Sequence, residues 1–207
     1  SESRGLITPI GRWVMREACR QLKAWQNQGL ALVPMAVNFS ALEFRQRDVA
    51  AEIAAVLLET GLAPQYLEIE LTESVLMHQT GQVLGTLNAL KALGVGISID
   101  DFGTGYSSLA YLKRLPIQEI KIDRSFVRDA PTNADDGVLV EGILSVARHF
   151  GLRVVAEGVE TRDQADFLSQ RAPDIVYQGY LFGRPEPDTD WLARAALVGT
   201  ATVEDEG

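Results

Sequence analysis

Six short apolar runs in this chain each end in a residue of the kind that binds a cation or handles a proton. VPMAVN ends at Asn38, YLEIE at Glu70, VGISIDD at Asp100 and Asp101, QEIK at Lys121, RVVAE at Glu157 and DIVYQ at Gln178. Each run reads as a buried strand, and most are followed by a helix-like stretch. Strands that alternate with helices form parallel sheets, whose ligands sit at the carboxyl ends of the strands. One rim would then gather four carboxylates, two amides and a lysine, with no nucleophilic Ser or Cys. That set suits metal-assisted chemistry on a water molecule.

Each of these residues also has a plainer reading. Asp100-Asp101 precedes Phe102-Gly-Thr-Gly-Tyr-Ser-Ser108, and Asp and Gly are common in turns. Adjacent strand residues point to opposite faces, so the two carboxylates converge only if the strand ends there and the chain turns. Glu68 and Glu70 share a parity and would be harmless on a solvated face. On an inner barrel face a glutamate is costly unless a cation pairs with it, and Glu157 poses the same problem. Lys121 is a salt-bridge partner in the plain reading. As a site residue its pKa is set by opposing effects: desolvation and metals lower it, carboxylates raise it. If it loses its proton readily, it helps to deprotonate a water.

The elements that must position these residues follow from periodicity. Ile10, Trp13, Val14, Ala18, Leu22 and Trp25 give a first helix one apolar face. Later helices are expected over 49–59, 80–92, 107–114, 135–149, 161–170 and 188–197. Strands are expected over 32–39, 66–71, 95–100, 118–122, 153–157 and 174–180. Gly61, Gly94 and Gly151 mark helix ends. The pattern alone leaves two architectures: a (β/α)8 barrel short of about two strands at its front, or an open doubly wound sheet of six strands.

Composition narrows the function. The chain has 207 residues, 46% of them apolar, and a formal charge of -9. Such acidity argues against a nucleic-acid polymer as partner. A phosphate ester would need divalent cations to invert the local charge. The single cysteine, Cys19, rules out an internal disulfide and fits a reducing cytoplasm. No secretory leader or long apolar span is visible, so the sequon at Asn38-Phe39-Ser40 is not expected to be modified. There is no P-loop ending, no Gly-x-Ser-x-Gly, and no kinase lysine or catalytic loop to accompany the Asp-Phe-Gly triplet. His78 and His149 lie away from the strand ends and read as surface or structural residues.

The stretch ISIDDFGTGYSSLAYLKRLPIQEIKIDRSFV closely resembles the EAL-domain family, bacterial phosphodiesterases that hydrolyse cyclic di-GMP. The resemblance continues in TPIGRWVMREACRQLKAW, VNFSALEF, LEIELTESVLM, VVAEGVET and QGYLFGRP, over roughly residues 3–186. It implies a modified (β/α)8 barrel whose first strand runs antiparallel. It implies one domain over residues 1–199 followed by an acidic tail at 200–207.

By the same resemblance, Asn38, Glu70, Asp100, Asp101 and Glu157 are metal-site residues, with Asp100 shared between two Mg2+ or Mn2+ ions. Lys121, Glu157, Asp100 and Asp101 carry the catalysis that opens cyclic di-GMP to linear pGpG. Gln178 and Asp123 contact the metal-water cluster or the substrate, and Glu73 anchors the DFGTGYSS loop. The resemblance further implies a homodimer formed through that loop and its helix. It implies upstream sensory or diguanylate cyclase-like (GGDEF-type) domains, and a cytoplasmic site, with some members membrane-anchored. One departure stands out. The family's Glu-Ala-Leu triplet, whose glutamate is a further metal ligand, is absent ahead of Asn38 and by family spacing would precede Ser1. The alternatives are a non-catalytic cyclic di-GMP receptor and a dimerisation module.

Overall fold

The computed structural model describes residues 3–40, 43–44, 48–73, 75, 81–105 and 112–189. The expected helix at 107–114, apart from its last residues, lies outside these. So do His78, most of the helix at 188–197, and the acidic tail.

Helix α1 (Ser3–Asn27) leads to β1 (Met35–Phe39) and α2 (Val49–Thr60), then to β2 (Leu67–Thr72) after a 3-10 turn at Pro64–Tyr66. There follow α3 (Gly81–Leu93), β3 (Gly96–Phe102), β4 (Glu119–Ile122), α4 (Arg124–Asp129) and α5 (Ala134–Phe150). β5 (Arg153–Glu157), α6 (Arg162–Ser169) and β6 (Val176–Gln178) complete the order. The helix ends carry their local signals. Asp48 caps α2 by accepting from the Ala51 N–H, and Asn133 caps α5 through the Asp135 N–H. Gly61 and Gly151 close the same two helices in the left-handed region.

All six strands pair in parallel and in sequence order, β1-β2-β3-β4-β5-β6. This order decides between the two architectures. A doubly wound sheet reverses its strand order at a switch point to place helices on both faces. Sequential order without reversal keeps every right-handed crossover on the same face and curls the sheet. The described strands are thus neighbouring staves of a (β/α)8-type barrel.

The inner and outer faces follow from register. Ile69, Leu71, Ile97, Ile99, Ile120, Ile122 and Ala156 are fully buried on the parity that faces the helices. The opposite parity carries the polar residues, so Glu68 and Glu70 do not face solvent as the plainer reading had it. Glu70 pairs with Ser98, and Ser98 with Glu119.

Deep in the barrel, Glu68 and Glu119 lie against one another beneath Arg153. The Arg153 Nη2 is 3.2 Å from Glu68 Oε2 and 3.3 Å from Glu119 Oε2. Gly96 makes the room, since a Cβ there would sit 3.2 Å from Glu68 Cγ. Burial, then the Glu68 charge and a hydrogen bond shared with it, push the Glu119 carboxyl up to about 7, against the pull of Arg153 and Lys121. Its folded value lies above the ordinary 4.5. The stability this group contributes is therefore full below the ordinary value and is lost as pH rises through the folded one. Glu119→Gln keeps the shape and the hydrogen bond without the charge. It is expected to raise the melting temperature by about 4 °C at about pH 8 and to change little at about pH 4.5. Thermal unfolding followed by circular dichroism checks this, and an equal shift at both pH values contradicts it.

Two expectations need correction. The buried stripe of α1 is Met15, Cys19 and Leu22, with Ala18 and Trp25 packed beside it, whereas Ile10, Trp13 and Val14 are exposed. The apolar residues wrap more than one side of this helix. The neighbours it packs on, β1 and α2, select the stripe that is covered. The polar stretch after β4 also contains a helix, α4, rather than only a loop. Asp123 starts it by accepting from the Ser125 N–H.

Candidate active site at the carboxyl rim of the sheet

Each strand delivers its predicted residue to the same rim. Asn38 on β1 is in register with Glu70 on β2, and Glu157 on β5 with Gln178 on β6. Lys121 on β4 is the hub. Its Nζ lies 2.8 Å from Glu70 Oε1, 2.5 Å from Glu157 Oε1 and 3.7 Å from Asp100 Oδ1. Lys121 is 4% exposed and Glu70 6%. The buried charges are therefore mutually paired, which is what makes them tolerable in the interior.

The two aspartates converge by a different route from the one expected. Strand β3 does not end at Asp100. It continues to Phe102, with a register shift between Ile99 and Phe102 where it meets β4. Within this bulge Asp101 takes a φ of 53°, the one non-glycine residue with positive φ among those described. Aspartate tolerates this region better than most residues. Its backbone N–H donates to Asp100 Oδ1 at 3.0 Å. The bulge brings Asp100 and Asp101 to the same side, and with Glu157 they offer three carboxylate oxygens within 4.8 Å of one another.

Desolvation leads the changes in acidity here, and the direction depends on the partners. Burial raises the Glu157 carboxyl despite its bond to Lys121, with Asp100 and Glu70 adding to the rise. Burial, the Asp100 charge and a hydrogen bond shared with Asp123 raise Asp101. Asp123 goes the other way, because bonds from the Ser125 hydroxyl and N–H outweigh its burial. Burial also opposes the charge on Lys121, but the bonds to Glu157 and Glu70 win and hold its pKa above the usual lysine value. In the absence of a cation the carboxylates thus favour the ammonium form of Lys121, and a bound divalent ion would act in the opposite direction.

Three carboxylates thus face the Lys121 ammonium and Asp101 lies beside them, a deficit of positive charge that divalent cations would fill. An all-oxygen donor set of clustered carboxylates suits a hard divalent ion, so the residues present fit such a cofactor. Asp100, Asp101 and Glu157 form its compact core. Glu70 sits across Lys121, and Asn38, which is exposed, lies beside Glu70 on the edge strand.

The remaining predicted residues frame this core. Glu73, 3% exposed, accepts from the Gly103 N–H at 3.1 Å and the Gly105 N–H at 3.2 Å through one carboxylate oxygen. It thereby ties the start of the loop after β3 to the end of β2. Residues 106–108 of that loop lie outside the described residues. Gln178 is exposed and lines a cavity of about 460 Å³ with Glu157, Arg124, Tyr180 and Arg184. Residue-by-residue reading overlooked the last three. The Arg184 guanidinium lies 4.5 Å from the centre of the Tyr180 ring. An aromatic and an arginine just past a rim residue are the signal that could have pointed to them. Gln164 was overlooked as well; its signal is the Thr-x-x-Gln capping pattern at the start of α6.

A family model described as the EAL domain matches residues 1–185. The bifunctional diguanylate cyclase/cyclic di-GMP phosphodiesterase MucR of Pseudomonas aeruginosa is 46% identical over 196 residues, covering 95% of this chain and 28% of that protein. The chain thus spans little more than a quarter of this relative's length. A solved structure described as the PaMucR phosphodiesterase in complex with c-di-GMP superposes with a TM-score of 0.87 at 46% identity, covering 92% of this chain and 76% of the other. The manganese/cyclic di-GMP complex of Klebsiella pneumoniae BlrP1 superposes with a TM-score of 0.73 at 30% identity, covering 84% and 45%. The parallel barrel strands, the acidic rim and these matches lead to one conclusion: the chain belongs to the EAL domain family.

Proposed function

We propose that this chain is the phosphodiesterase unit of a bacterial signalling protein, hydrolysing cyclic di-GMP to linear pGpG with two divalent cations, Mg2+ or Mn2+. The observation that carries the reading is the clustering of Asp100, Asp101 and Glu157 oxygens within 4.8 Å of one another, with Asp100 and Glu157 also facing the Lys121 ammonium. The relatives whose names include the same activity and ligand support it.

In this reading Asp100, Asn38, Glu70, Asp101 and Glu157 are the residues that would hold the cations. Such ions, when bound, lower the pKa of a water and neutralise charge on the phosphoryl oxygens. The chain's own residues do the positioning. Lys121 contacts the attacking water and holds its oxygen in line with phosphorus. Glu157 and Glu70 hold the ammonium in place. Asp123 and Gln178 line the approach, and the Tyr180 face beside Arg184 offers a flat, cationic platform for a purine base. The water loses one proton to solvent, its oxygen bonds to phosphorus as the bond from phosphorus to the 3′ oxygen breaks, and the departing 3′ oxygen takes up a proton from solvent. We extend the proposal to a homodimer formed through the DFGTGYSS loop, to upstream sensory or GGDEF-type domains, and to a cytoplasmic site of action. Among the described residues no helix is long and apolar enough to cross a membrane.

Incubating the full-length protein with cyclic di-GMP and Mg2+, with and without excess Ca2+, tests this by chromatography of the products. Linear pGpG is expected with Mg2+ and is suppressed by Ca2+, which takes longer, looser oxygen coordination. Binding of cyclic di-GMP without any product would replace the enzyme with a receptor.

A further inference from the structure

Gln164 lies outside the rim, in the first turn of α6, is 5% exposed, and uses both ends of its amide. Its Oε1 accepts from the Glu160 N–H at 2.7 Å and the Thr161 N–H at 2.9 Å. Its Nε2 donates to the carbonyl of Arg128 at 3.1 Å. The first pair caps α6, with the Gln164 N–H donating back to the Thr161 hydroxyl at 3.3 Å. The other bond reaches a different element. Arg128 is in the last turn of α4, where helix carbonyls lack partners within the helix.

The cap alone does not require an amide. A glutamate at this position of the box would accept the same N–H groups, and its charge would suit a helix N-terminus. The donor aimed at Arg128 is the part only glutamine supplies. What that donor joins is informative. On one side is the loop that leaves β5 directly after Glu157. On the other is α4, which begins directly after Lys121 and Asp123.

The two segments also meet at the opposite end of α4. Gly158, at φ +65°, lies so close to Arg124 that an added Cβ would sit 2.6 Å from the Arg124 Cβ. From there the loop is stitched to β6, since the Val159 N–H donates to the Gln178 carbonyl at 3.1 Å and the Leu181 N–H to the Val159 carbonyl at 3.1 Å. Residues 157–161 are therefore held against α4 at both of its ends, and against the strand that carries Gln178.

We propose that Gln164 is a positioning residue for the reaction, its amide clamping the loop after Glu157 to helix α4 and thereby fixing the contact between Glu157 and Lys121. This rests on the phosphodiesterase reading above. Glu157 and Lys121 face the water and the cations rather than the bulk of the substrate. Loosening the clamp therefore acts on turnover and metal affinity, and leaves the Michaelis constant in place.

The test uses Gln164→Glu and Gln164→Leu in the full-length protein. Gln164→Glu keeps the cap and loses the donor to Arg128. It is expected to melt somewhat below the wild-type temperature, since a carboxylate oxygen then faces the Arg128 carbonyl, to lose about tenfold in kcat with little change in KM, and to bind Mn2+ about tenfold more weakly by calorimetry. Gln164→Leu loses cap and clamp together, melts lower, and has a kcat no higher than that of Gln164→Glu. A Gln164→Glu protein with wild-type kcat and Mn2+ affinity overturns the proposal. So does one that fails to fold, or whose loss of rate tracks its melting temperature, because the amide then serves stability alone. Wild-type protein without turnover would instead overturn the phosphodiesterase reading, and the Mn2+ affinities would still decide whether Gln164 positions the rim.

Discussion

Asp100→Ala is expected to abolish turnover of cyclic di-GMP in the full-length protein, lowering the rate by at least about 10³-fold, because the catalysis asked of the cations is lost with their shared ligand. Asp100 supplies one of the three oxygens that lie within 4.8 Å of one another. It also accepts the backbone N–H of Asp101, the bond that steadies the left-handed residue in the bulge. Alanine removes that accepting oxygen and loosens the turn that aims Asp101. Mn2+ affinity should fall by more than about 100-fold, beyond the roughly 10- to 100-fold that a residue outside the ligand set produces. The rate of pGpG formation and a Mn2+ titration check both effects. A variant that turns over near the wild-type rate would remove Asp100 from the mechanism.

Lys121→Met should separate the two duties of the lysine. Methionine has a similar reach and no charge, so the attacking water loses that contact while the substrate cavity is left alone. Turnover should drop by about 10²- to 10³-fold with KM nearly unchanged, within the range expected for a group that positions or polarises the reacting water. The second effect is on stability. Glu70, Asp100 and Glu157 would keep their burial and lose the one ammonium they share. Without metal this is expected to cost about 3–5 kcal/mol, the penalty of breaking a buried ion pair from one side. Divalent cations should restore much of it. The gain in melting temperature on adding Mn2+ is therefore predicted to be larger for Lys121→Met than for wild type. Equal losses of turnover and substrate affinity would contradict the role at the water. A metal-free variant as stable as wild type would contradict the buried cage.

Much of this site is legible in the sequence because its residues break a local rule. A glutamate, a lysine or an aspartate pair at the end of an apolar run is costly to bury unless something pairs with it, so Glu70, Asp100, Lys121 and Glu157 announce themselves one by one. That they meet is not a local property. It follows from strand order, and periodicity has no access to which strand lies beside which. Strict alternation lets Asp100 and Asp101 converge only where the strand ends. The chain instead inserts a bulge, and Asp101 gives only the weak hint that aspartate tolerates positive φ. The apolar residues of α1 fill more than one face, so periodicity could not choose between the stripe through Trp13 and the one through Cys19. Helix α4 is a turn and a half long and too short for periodicity to detect, although Asp123 and Ser125 hold the capping signal. The charge state of Lys121 depended on opposing effects of unknown size. Distances of 2.5 and 2.8 Å to two carboxylates favour the ammonium, and bound cations would act against it.

The most direct check is an anomalous difference map from crystals of the full-length protein grown with Mn2+, collected at the manganese edge. Two peaks are predicted at the carboxyl rim, bridged by Asp100, with Asp101 and Glu157 on one side and Glu70 and Asn38 on the other. A map with no peak in contact with Asp100, at an Mn2+ concentration that supports turnover, would contradict a site in which these strand ends hold the cations that activate water.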